Sequence, residues 1–197
     1  MNSIKVGITG GIGSGKSTIA KFFKNILQIP IYLADDRAKY LVNHHSQIKK
    51  AIVNEFGEEA YLNNTYNSKF IASVVFSDKQ KLQTLNAIIH PVVKQDYKNW
   101  LETNKQASYT IKEAAILIES GSYKELDFII LVSADKQLRI NRVIQRDNVS
   151  ENEVLTRIHK QMSEDEKRPY VDAEIINNEN SNVIPQILTI HQQLLSL

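Results

Sequence analysis

The sequence predicts an α/β fold, with helices on both faces of a central parallel sheet of about five strands. Three observations predict it. A short alternating strand, a glycine-rich loop and a helix open the chain in succession. Further apolar strands then alternate with segments of helical periodicity down to the C-terminus. Between the second and third strands lies a helical block too long for a simple crossover, which marks an inserted subdomain.

The first strand is Ile4-Lys5-Val6-Gly7-Ile8, and it runs directly into Thr9-Gly10-Gly11-Ile12-Gly13-Ser14-Gly15-Lys16-Ser17-Thr18. From Gly10 this satisfies the phosphate-binding pattern G-x-x-x-x-G-K-[ST]. Several backbone N–H groups must turn inward on one polyphosphate, and glycine keeps side chains out of their way. A dinucleotide-binding loop is excluded, because after Gly11-x-Gly13 the last glycine of G-x-G-x-x-G is replaced by Lys16. Gly11, Ile12, Gly13, Ser14, Gly15, Lys16, Ser17 and Thr18 are therefore read as the nucleoside-triphosphate-binding loop of a P-loop NTPase fold. Lys16 places charge on the β- and γ-phosphates, and the Ser17 hydroxyl is set to ligate Mg²⁺. The following helix turns Ile19, Phe22, Phe23 and Ile26 to one face and aims its N-terminal dipole at the anion.

Pro30 to Ala34 reads as the second strand, ending at Asp35-Asp36. Asp35 suits two roles equally here: a base for an acceptor hydroxyl, or the N-cap of the next helix. From about residue 37 to 105 the chain is mainly helical, with Ile48, Ile52, Val53 and Phe56, then Leu82, Leu85, Ile88 and Ile89, at helical spacing. Gly57, Asn63-Asn64 and Pro91 punctuate it. Strands return at Tyr109 to Glu113 and Asp127 to Val132. A helix spans Asp135–Arg146 with Asp135 as N-cap, and a second runs from Ser150 to about Glu164, opened by the capping box Ser150-Glu151-Asn152-Glu153. A last strand, Ala173 to Ile176, precedes a C-terminal helix with Val183, Ile184, Ile187, Leu188, His191, Leu194 and Leu195 along one side.

Composition narrows the partners. The 197 residues suit one core with an inserted part, and 42% hydrophobic with 23% charged residues is ordinary for a soluble protein. A net charge of +2 without any basic cluster argues against a nucleic-acid partner. The absence of cysteine excludes disulfides and thiolate metal sites. No leader pattern precedes the first strand and the apolar runs are short, so the expectation is a cytoplasmic protein without a membrane partner. The apolar stripes of the insertion suit internal packing or a neighbour, hence a monomer or a small homo-oligomer. His44 and His45 are adjacent and read as surface residues.

The acceptor is narrowed by what else the chain carries. It lacks the guanine-reading N-K-x-D and the D-x-x-G of regulatory GTPases. Six ordered motifs instead resemble the dephospho-coenzyme A kinase family over nearly the whole chain. They are Gly7 to Ser17, Ala34-Asp35, His90-Pro91, Ile116-Leu117-Ile118-Glu119, Arg142 to Asp147 followed by Arg157 and Gln161, and Asp172 with Ile175 and Asn177. The resemblance implies phosphoryl transfer from MgATP to the ribose 3′-hydroxyl of dephospho-CoA, the last step of coenzyme A biosynthesis. It implies one kinase domain, with a core of about 1–36, 106–136 and 165–197, a CoA-binding helical insertion of about 37–105 and a lid of about 137–164. It implies Asp35 as base, Lys16 and Arg142 as catalytic cations, and Arg142, Arg146 and Asn177 on ATP. It further implies Asp35, His90, Glu119, Arg157 and Gln161 on the acceptor. Arg142 and Arg146 are i, i+4 and so share a helix face, as do Arg157 and Gln161. Solvated surface stripes are the plainer reading of both pairs.

The chain departs from the family pattern in places. Leu33 stands for the first Asp of D-A-D, and Ala115 for the Pro of P-L-L-x-E. Glu113 occupies the position of a metal-holding Asp, and Asn177-Asn178-Glu179 lacks the usual glycine. The alternatives are another nucleoside or nucleotide kinase, or a P-loop sensor that binds nucleotide without turnover.

Overall fold

The computed structural model describes residues 3–76 and 78–197. In chain order its strands are β1 (Ile4–Thr9), β2 (Ile31–Leu33), β3 (Tyr61–Leu62), β4 (Thr65–Tyr66), β5 (Tyr109–Glu113), β6 (Phe128–Ser133) and β7 (Ala173–Ile176). The helices are α1 (Lys16–Asn25), α2 (Ala34–His44), α3 (Ser46–Phe56), α4 (Ser68–Phe76), α5 (Lys79–Thr103), α6 (Lys136–Asp147), α7 (Glu151–His159), α8 (Glu164–Lys167) and α9 (Val183–Leu195). They form two compact units, Met1–Leu33 with Asn104–Leu197, and Ala34–Thr103.

The first unit is built on a five-stranded parallel sheet of order β2-β5-β1-β6-β7. β1 sits centrally, and its residues Val6 and Ile8 are fully buried. The sheet's apolar residues pack with Ile19 and Phe23 of α1 and with Ile187, Ile190 and Leu194 of α9 in one cluster. The strand order reverses about β1: β5 lies on one side of it and β6 on the other. In open α/β sheets the ligand crevice forms outside the carboxyl ends of strands at such a point.

Several expectations shift. Ile26 falls one residue beyond α1 and is 64% exposed, so only Ile19, Ala20 and Phe23 of that helix join Lys16 in burial. The helix expected from Ser150 to Glu164 is two helices, because a second capping box, Ser163 with Glu166, restarts the backbone at α8. On α9 the buried row is Ile187, Ile190 and Leu194, while Ile184, Leu188 and Leu195 are exposed. Asp135 stands at the N-cap of α6 without a side-chain bond, its own N–H donating to Asn178 Oδ1 at 2.8 Å.

The second unit packs α2 to α5 around Leu41, Val42, Ile48, Ile52, Phe56, Ile71 and Leu85. It contains an antiparallel hairpin, β3 with β4, that helical periodicity does not announce. Asn63 and Asn64, both at positive φ (47° and 68°), form its two-residue turn. α5 continues through Pro91. A missing N–H inside a helix costs about 3 kcal/mol, and here Ile88, Ile89, Val92 and Val93 pack on the core either side of it. His45 is the N-cap of α3, and His44 stacks on Tyr40 with its Nδ1 against the Tyr40 carbonyl.

Candidate active site

The carboxyl ends of the strands present the chemistry. Thr9 of β1 leads into the phosphate loop, Glu113 closes β5, and Asn177 follows β7. Gly10, Gly13 and Gly15 all take positive φ (152°, 80° and 93°), which turns the loop around its own N–H groups. Lys16 is buried, and its Nζ donates to the Gly11 carbonyl at 3.1 Å. Ser17 and Thr18 open α1 beside it and are exposed.

α6 and the C-terminal strand close on that loop. The Asn177 side-chain amide donates to the Ser14 carbonyl at 2.8 Å, and Arg142 donates to the Asn177 carbonyl at 3.0 Å. Buried polar groups are normally paired, yet the second terminal nitrogen of Arg142 and the Ser14 hydroxyl are buried without a partner. The first belongs to the helix beside the loop and the second to the loop itself. Arg146 and Arg157 instead converge on Asp147, at 2.7 and 2.8 Å. Their hydrogen bonds hold the Asp147 carboxyl below the usual range, Arg146 contributing most.

Other expected residues have structural engagements. Gln161 Oε1 accepts the Ile12 N–H at 2.9 Å, so it acts on the phosphate loop. Glu119 Oε1 pairs with Lys167 Nζ at 3.0 Å and accepts the Met162 N–H, also at 3.0 Å. Asp172 accepts the Ile129 N–H at 2.8 Å and so locks β7 to β6. In the second unit, Asp35 lies inside the first turn of α2 and not at its cap, with Asp36 paired to Lys39. His90 is exposed in the middle of α5, not at a helix end.

Two residues escaped the motif reading. Arg139, one turn before Arg142, is 8% exposed and pairs with Glu164 at 3.0 Å. Lys167 is fully buried, and also donates to the Ala115 carbonyl at 3.1 Å. The signal for Lys167 was the carboxylate at Glu119, the partner that a buried ammonium needs. For Arg139 it was the i, i+3 spacing to Arg142.

A family model described as Dephospho-CoA kinase matches residues 4–183 of the chain. The chain belongs to the dephospho-CoA kinase family. A dephospho-CoA kinase of Bacteroides fragilis is 37% identical over 186 residues, 94% of this chain and 90% of the relative. The crystal structure of TT1252 from Thermus thermophilus superposes with a TM-score of 0.86 at 29% identity, covering 100% of this chain and 98% of that one. The dephospho-CoA kinase from Campylobacter jejuni, at 23% identity over 98% of this chain and 97% of its own, shares the fold with a TM-score of 0.71. Family membership makes the chain an ATP-dependent kinase acting on dephospho-CoA. Use of ATP implies a divalent cation. Among the described residues no three His, Cys, Asp or Glu gather as a metal cage. The Ser17 hydroxyl and the Glu113 carboxylate are oxygen donors of the kind a hard cation takes alongside phosphate and water.

Proposed function

We propose that the chain transfers the γ-phosphoryl of MgATP to the ribose 3′-hydroxyl of dephospho-CoA, with Asp35 as base. The observation that carries the residue assignment is the buried, unpartnered nitrogen of Arg142, held beside a phosphate loop by Asn177. Lys16 and the loop N–H groups hold the β- and γ-phosphates, while Arg142 spreads the charge that develops on the transferring group. Asp35 accepts the proton of the 3′-hydroxyl as its oxygen bonds to the γ-phosphorus. The bond from that phosphorus to the bridging oxygen breaks, and ADP leaves. Asp36 faces Lys39 across a solvent-exposed 3.7 Å pair, whereas Asp35 has no ion pair among the described residues, which favours Asp35 for this role.

Mg²⁺ fits Ser17 and Glu113, and when bound it neutralises charge on the β- and γ-phosphates. Arg146 and Arg157 exchange Asp147 for phosphate as α6 and α7 act as a lid over ATP. The second unit, with His90, receives the acceptor. The protein works in the cytoplasm as a monomer or small homo-oligomer, without nucleic acid or membrane. Among the described residues no helix is long and apolar enough to cross a membrane.

The test is ADP release with MgATP and dephospho-CoA, adenosine, AMP or no acceptor. Turnover confined to dephospho-CoA supports the reading. Turnover on another acceptor replaces the substrate, and ATP binding without any turnover replaces the enzyme by a sensor.

A further inference from the structure

The apex of the phosphate loop is held from outside the loop. Ile12 donates its N–H to Gln161 Oε1 at 2.9 Å, and its carbonyl accepts from Arg139 Nε at 3.0 Å. Its side chain packs on the small core formed by Ile140, Val143 and Val154 of α6 and α7. The backbone N–H, the carbonyl and the side chain of this one residue are thus all engaged from outside the loop, by α6, α7 and the bend that follows α7. Arg139 is fixed in turn by Glu164, 3.0 Å from its other arm, with side-chain exposures of 9% and 14%.

The glycines record how close this approach is. Gly11, unlike Gly10, Gly13 and Gly15, does not have a positive φ, so a left-handed backbone is not what calls for glycine there. A Cβ built there would stand 2.1 Å from one terminal nitrogen of Arg139 and 2.4 Å from its Cζ. A guanidinium usually swings aside, but this one is buried and tied to Ile12 and Glu164. A Cβ on Gly13 would meet the Arg139 carbonyl at 2.4 Å. Glycine at 11 is therefore demanded by Arg139 and not by the turn.

We propose that Arg139 is a positioning residue for the nucleotide, holding the Ile12 peptide together with Gln161 so that the phosphate loop is shaped before ATP arrives. Arg139 does not touch phosphate. It removes conformational freedom that ATP would otherwise have to order, so its loss raises the cost of binding. It also couples α6 to the loop, because any displacement of the first turn of α6 pulls on Ile12. This rests on the ATP-binding reading.

The test compares ATP and dephospho-CoA affinity, by calorimetry on the full chain, with the steady-state constants. Arg139→Met combined with Glu164→Gln removes the buried ion pair together, so neither charge is left alone. Loss of hydrogen bonds of this kind should weaken ATP about tenfold. Dephospho-CoA affinity should hold, and KM for ATP should rise more than kcat falls. Gln161→Met, which touches only the Ile12 N–H, should shift ATP in the same direction, and it decides the matter if the double variant does not fold. Gly11→Ala should weaken ATP in the wild type and add nothing in the Arg139→Met, Glu164→Gln background. Additive losses, equal weakening of both ligands, or unchanged ATP affinity in the variants would overturn the positioning role alone. A wild-type chain that binds no ATP would overturn the kinase reading and this proposal with it.

Discussion

The Asn177 side-chain amide lies 2.8 Å from the Ser14 carbonyl, tying the residue after the edge strand β7 to the loop after the central strand β1. The contact is close enough that a Cβ on Gly15 would stand 2.1 Å from the same nitrogen. Asn177→Asp keeps the shape but replaces the donor with a carboxylate facing a carbonyl and the phosphates. We expect KM for ATP to rise about tenfold or more, with a melting temperature close to wild type. A variant with unchanged KM would remove Asn177 from the nucleotide site.

Asp35→Asn should lower kcat about a hundredfold or more, the usual range for losing a general base. ATP affinity, measured by titration without acceptor, should not move. Asp36→Asn is the control, since its carboxylate already serves Lys39. Equal losses in both variants would point to helix stability and not to proton transfer.

Lys167→Met should destabilise the chain by about 1–3 kcal/mol, because it removes the donor to the Ala115 carbonyl and leaves the partly exposed Glu119 carboxylate without its cation. Urea unfolding measures this. Adding Glu119→Gln should recover part of the loss, since the stranded carboxylate at 3.0 Å is then gone. A neutral single variant would mean that the pair contributes nothing net.

Burial raises the Glu164 carboxyl above its ordinary value of 4.5, against the opposing pull of Arg139. The folded chain therefore holds this proton at pH values where the unfolded chain has released it. That contribution to stability is complete below the ordinary value and is lost as pH rises through the raised one. Glu164→Gln should flatten the decline in a series of melting curves taken from acid towards neutral pH. A persistent decline in the variant would assign it to another group.

Local chemistry explains what was legible in the chain. The phosphate loop announces itself because Gly10, Gly13 and Gly15 need backbone that other residues rarely adopt, and that need is written at fixed spacing. Strands β5 and β6 were visible because burial forces a run of strand-forming residues. The β3–β4 hairpin was hidden, since strands of two residues carry no period, although Asn63-Asn64 marked its turn. Arg139 and Lys167 carried no motif, because their carboxylate partners lie 25 and 48 residues away in the sequence. Gln161 was expected on the acceptor, and its partner here is a backbone N–H of the phosphate loop, which no side-chain pattern reveals.

The order β2-β5-β1-β6-β7 also bears on how the chain assembles during synthesis. β1 leaves the ribosome first, but both of its sheet partners, β5 and β6, come after residue 103. The unit Ala34–Thr103, with mostly local pairings, emerges whole before any rung of the parallel sheet can form. Non-local strand pairing is slow because the intervening loop must be closed first. Here that intervening chain is itself a compact unit, so folding it early shortens the effective gap between β2 and β5. The part made in the middle is expected to fold first, and the first strand made must wait for the later ones.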